Sequence, residues 1–300
     1  MNQLQAVLEV QNDERLMDLS LDLVNKHGLA WSPIKEQLFT KDGTPTNSYG
    51  IFRSDDRTFL SSMSKYYQPL DNFELAQLLV FSAKEIQDLS VEESSGGLLS
   101  QGRKVYIQIP LPQAEIGNAS VVRQLTAINS HDGSSGVAFG TTQTVIACSN
   151  TFYKAYRHKD MTRVGHHSTM RERLNETIAN LHKTISEDLK TIEKFRKMLD
   201  ITPQKQDIEA LKDRIFNVDD IATISTRKSN SLAKFDSCVE IEFAKEGTNL
   251  WGLFNAVTRY TNHEMKSNLN SKEKLANVLV GTGRKMNETA YNHLMHYVVN

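Results

Sequence analysis

The stretch Leu125–Tyr156, LTAINSHDGSSGVAFGTTQTVIACSNTFYKAY, decides how the chain is read. Leu125 to Asn129 is short and apolar enough for a strand. Ser130 to Gly136 is a tight polar loop. Val137 to Cys148 alternates and thickens as a buried strand does, and Ser149-Asn150 has the composition of a helix start. Upstream of this seam the sequence reads as strands and hairpins. Downstream it reads as helices. The expected class is α+β: an antiparallel sheet of hairpins with one or two helices over residues 1–160, then a helical domain over 161–300.

Working back from the seam, Lys104–Ile109 carries the clearest strand alternation. Val105, Ile107 and Ile109 alternate with Tyr106 and Gln108, and Pro110 and Pro112 are expected to end the strand. Ser54-Asp55-Asp56-Arg57 reads as a four-residue turn between strands Tyr49–Arg53 and Thr58–Ser64. Adjacent aspartates at such a tip are turn formers whose side chains bond nearby amides, which accounts for them without a metal. Asp71 or Asn72 caps a helix running from Phe73 to about Asp88. Leu16, Leu19, Leu23 and Val24 form one stripe of an earlier helix, stopped by Gly28.

Forward from the seam, Tyr153–Arg173 (YKAYRHKDMTRVGHHSTMRER) holds six basic residues against two acids, with aromatic rings interleaved. Next, Leu174, Ile178, Leu181, Ile185, Leu189, Ile192, Phe195 and Leu199 recur at near-heptad steps, which predicts one long helix over Thr169–Leu199. That helix packs along its own domain or joins a second copy. Thr202-Pro203 opens the next helix. Another falls near Ile221–Phe243, one follows Gly247-Thr248, and Gly281–Lys285 opens the last. Gly281-Thr282-Gly283-Arg284-Lys285 lacks the spacing of a phosphate loop, though a basic helix start can hold an anion.

The net charge is only −1, but its distribution is uneven. Residues 1–100 carry 15 acids and 8 bases, residues 101–200 carry 9 and 14, and residues 201–300 carry 12 and 13. A basic middle third fits a polyanionic partner. Cys148 and Cys238 sit in apolar surroundings without neighbours at metal spacing, as buried free thiols do in a reducing cytoplasm. His158, His166 and His167 lack the partners of a metal site. No cofactor motif is present. The N-terminus lacks a signal-peptide core and no apolar run is long enough to span a membrane, so a cytoplasmic protein is expected.

Five blocks carry a resemblance: Gly28-Leu29 with Trp31; IFRSDDRTFLSSMSKYYQPLDNFE; GRKVYIQIPLP; NSHDGSSGVAFGTTQTVIACSNTF; and TNLWGLFNAVTRYTNHE. In that order, over about Leu16 to Tyr297, they resemble the phage- and plasmid-like proteins that carry domain of unknown function 932. The resemblance implies a protein encoded by a mobile element and acting inside a bacterial host. It brings no activity with it.

Three functions are weighed. The first is single-stranded DNA binding and annealing without catalysis, by a homo-oligomer. Arg103, Lys104, Lys154, Arg157, Lys159 and Arg163 would track the phosphates, and Tyr153 and Tyr156 would stack on bases. Its layout resembles that of recombination annealers, a fold-level analogy only. The second is an accessory factor that binds and modulates a host protein. The third is a nuclease or hydrolase using Ser130, His131, Asp132 and Ser134. Consecutive residues do not readily place nucleophile, base and acid in line. The loop Asn129-Ser130-His131-Asp132-Gly133-Ser134 is therefore expected to be structural, with no catalytic or metal-ligating residue assigned.

Overall fold

The computed structural model describes residues 4–84, 91–117, 119–145, 150–155, 164–179, 182–217, 225–265 and 268–299. The side chains of 145, 151–155, 179 and 182–189 lie outside that description, as does that of 299. In chain order the elements are α1 Gln5–Gln11, α2 Glu14–Lys26, β1 Pro33–Phe39, β2 Pro45–Arg53, β3 Phe59–Ser64, α3 Asn72–Ser82 and β4 Ser95–Leu99. Then come β5 Lys104–Ile116, β6 Ala119–Ser130, β7 Ala138–Val145, β8 Asn150–Ala155, α4 Met170–Ala179 and α5 His182–Met198. The last are α6 Lys205–Phe216, α7 Thr226–Glu246, α8 Leu250–Arg259 with a π-helical turn Tyr260–Glu264, α9 Ser271–Val280 and α10 Thr282–Val299. The class is α+β, with two antiparallel sheets. One is three-stranded in the order β1-β2-β3, and the other is five-stranded in the order β4-β5-β6-β7-β8.

The chain gathers into two compact units. One comprises Met1–Leu111, Gln124–Thr141 and Ala155–Ser186; the other comprises Pro112–Arg123, Thr142–Lys154 and Glu187–Asn300. The chain passes between them within β5, β6, β7, β8 and α5, whereas the expected division was one cut after residue 160.

In the first unit α2 starts at Asp13, whose carboxylate accepts from the Leu16 N–H, and ends where Gly28 takes φ +66°. Helix α3 begins with a capping box between Asp71 and Glu74. Leu75, Leu78 and Leu79 on it are fully buried, and α1 and α2 pack on it. Between β2 and β3, Asp56 accepts from the Thr58 N–H and Asp55 pairs with Arg53, as turn-forming aspartates do.

In the second unit, buried residues occupy α8 from Leu250 to Thr258 without a break. Phe195 sits 5.0 Å from Trp251, 5.3 Å from Phe254 and 5.8 Å from Tyr291, ring centre to ring centre. The three contacts are tilted, stacked and edge-on in turn, geometries that aromatic quadrupoles favour.

Several local expectations change. Strand β5 runs through Pro110 and Pro112. Its pairing with β4 ends at Ser95 opposite Gln108, so beyond that point this flank asks for no N–H donors. Asn150 starts a strand, not a helix. Its amide, which would otherwise cap, donates to Glu242 and to the Asn255 carbonyl. Helix α6 begins after Gln204, which forms a capping box with Asp207, and not at Thr202-Pro203.

The expected helix Thr169–Leu199 is described as α4 and α5, with 180–181 outside the described residues. Its stripe serves two cores: Leu174 and Ile178 belong to the first, Ile192 and Phe195 to the second. At the start of α10, the Gly283 N–H and the Thr282 hydroxyl both donate to Asn277 Oδ1, so these donors of the expected anion cradle already have a partner.

Candidate functional site

Strand β6 delivers Asn129, Ser130 and His131 into the interior of the first unit, all three with no exposed surface. A buried polar segment must find internal partners, and this one does. The Asn129 amide donates to the Leu70 carbonyl at 3.1 Å, and its oxygen accepts from the Ser130 N–H at 2.8 Å. The Tyr67 hydroxyl donates to the Ser130 carbonyl at 2.9 Å. The His131 N–H donates to the Arg103 carbonyl at 2.7 Å, and the Ser61 hydroxyl donates to the His131 carbonyl at 2.7 Å.

The imidazole of His131 is the centre of this cluster. Its Nε2 lies 3.0 Å from Asn72 Oδ1, and the Asn72 amide donates to the Trp31 carbonyl at 2.9 Å. That orientation of Asn72 leaves its oxygen facing the ring, so Nε2 carries the proton. His131 Nδ1 is then an acceptor, buried and without a hydrogen-bond partner. The Trp31 ring lies 5.1 Å from the imidazole, and Arg53 stacks on the Trp31 ring at 4.7 Å. Burial, then the neighbouring His166, lower the pKa of His131 to about 3, and Asp132 offsets little of this. The ring is neutral at physiological pH.

His166 forms the second half. Its Nδ1 donates to the Gln68 carbonyl at 2.9 Å, its ring stacks on Tyr67 at 4.9 Å, and its Nε2 is buried without a partner. Burial holds its pKa below the usual value, against the opposing pull of the Gln68 carbonyl. Burial also raises the Tyr67 hydroxyl, with Asp132 adding to it.

Asp132 works as a hub. The hydroxyls of Ser130 and Ser134 donate to its Oδ1 at 2.6 and 2.5 Å, and the Ser134 N–H donates at 3.0 Å. Burial pushes this carboxyl up, but the Ser130 and Ser134 donors and the charge of Lys104 outweigh it and hold its pKa below the usual value. Gly133, at φ +65°, turns the chain beside the Met63 side chain.

This geometry separates the triad letters. Ser130 donates to Asp132 and His131 bonds Asn72, so serine, imidazole and carboxylate are not in the nucleophile–base–acid line. Among the described residues no group of three or more His, Cys, Asp or Glu is placed to hold a metal.

Of the residues expected to meet a polyanion, Arg103 is exposed and Lys104 half-exposed. They follow a turn in which Ser100, Gln101 and Gly102 all take positive φ, at 52°, 60° and 86°. Two consecutive non-glycine residues in that region are unusual and strained. The turn is tied to the polar cluster through the Arg103 carbonyl. Tyr153 and Lys154 lie on β8, with side chains outside the description; Tyr156, Arg157, Lys159 and Arg163 lie outside the described residues altogether.

Sequence reasoning missed Asn72, Trp31, Tyr67 and His166 as members of the cluster. Asn72 left a faint signal: Asp71 already supplies the cap, so an adjacent second capping residue has another use.

The second unit holds its own buried polar group. Glu242, with no exposed surface, accepts from Arg259 at 3.1 Å and from the Asn150 amide at 3.3 Å. Cys238, one turn away, is buried, and its thiol is pushed up to about 12, first by burial and then by Glu264.

No curated protein and no solved structure matches the chain. The profile of the family described as "Domain of unknown function (DUF932)" matches residues 59–290, and the chain belongs to that family.

Proposed function

We propose that the protein binds single-stranded DNA without catalysing a reaction on it, as a factor encoded by a phage or plasmid and acting in the bacterial cytoplasm. Oligomers would bring two bound strands together for annealing. The observation that supports this most is the placement of Arg103 and Lys104. They follow a strained turn, and the His131 N–H bonds the Arg103 carbonyl, so the backbone that carries these two cations to the surface is anchored to the polar cluster. Adjacent surface cations on an anchored stretch of backbone suit contact with phosphates, because the backbone loses less conformational entropy on contact than a free loop would. The neutral, internally bonded His131 and the Ser130–Asp132 bond favour a structural role for the loop over a hydrolytic one.

The test is titration of labelled oligo-dT with the purified chain at low salt. Wild type should bind. Arg103→Glu/Lys104→Glu and Arg157→Glu/Lys159→Glu should each weaken binding at least about tenfold, as loss of several phosphate contacts does. Undiminished binding by both charge-reversed variants would sink this reading.

A further inference from the structure

We draw no further inference here: the strongest candidate, the two buried and unpartnered ring nitrogens His131 Nδ1 and His166 Nε2 in the polar cluster of the first unit, belongs to the site already described, and among the described residues no third His, Cys, Asp or Glu joins them to hold a metal ion.

Discussion

The imidazole Nε2 of His131 and the amide oxygen of Asn72 lie 3.0 Å apart, joining the end of β6 to the first residue of α3 across 59 positions of sequence. Both residues are fully buried. Asn72 spends its other group on the Trp31 carbonyl, so one side chain ties together the strand end, the helix start and the segment before β1. Truncating it leaves a buried N–H and a buried carbonyl without partners. Asn72→Ala should cost about 2–6 kcal/mol, since each of the two stranded groups costs about 1–3 kcal/mol. Urea unfolding followed by far-UV circular dichroism would measure this. A loss below about 1 kcal/mol would mean that the bond contributes little.

Acid should unfold the first unit through its histidines. His131 and His166 have folded-state pKa values below their ordinary 6.5, His131 at about 3. The unfolded chain therefore binds protons that the folded chain refuses. Stability is full above pH 6.5 and falls as pH drops below it, by up to about 1.4 kcal/mol per pH unit for each group, with the His131 contribution continuing toward pH 3. Urea midpoints from pH 7.5 to 5 should show the decline, and His131→Gln should make it shallower whatever its own stability. An unchanged slope would show that His131 is not one of the groups responsible.

Gly136 has no room for a side chain. A Cβ there would fall 2.2 Å from the Val164 carbonyl oxygen, beside the antiparallel bridge between Val137 and Val164. The neighbour is backbone and cannot swing away. Gly136→Ala should destabilise by about 2–4 kcal/mol, in the range of backbone clashes in packed regions. A melting temperature equal to that of wild type would contradict it.

Cys238 should be inert in the folded protein. Its thiol is buried, and its pKa near 12 leaves almost no thiolate at pH 8. In a Cys148→Ser background, a thiol-reactive dye should label Cys238 only after denaturant is added. Rapid labelling of the native chain would show that the helices around it open readily.

The β hairpins, the capped α2 and α3, and the buried α8 are legible in sequence because each depends on neighbours a few residues away. Alternation at Val105–Ile109, a cap at Asp71 or Asn72 and a helix start after Gly247-Thr248 are local signals. What fails is local evidence overruled from a distance. Pro110 and Pro112 read as a strand end, yet that flank has lost β4. Asn150 reads as a cap, yet its amide is taken by Glu242, 92 residues on. The heptad-like run from Leu174 to Leu199 reads as one seam, yet its described ends enter different cores. The candidate site follows the same division. Its loop was legible as Ser130–Gly136, but Trp31, Tyr67, Asn72 and His166 reach it only through the fold.

The most direct measurement is the salt dependence of oligo-dT binding by the full-length chain, compared with Arg103→Glu/Lys104→Glu. Wild type should bind at about 50 mM salt, with the logarithm of affinity falling linearly with the logarithm of salt. The variant should show a slope smaller by about 1.4, the loss of two phosphate contacts at about 0.7 each. No binding at low salt, or a wild-type slope retained by the variant, would contradict the account.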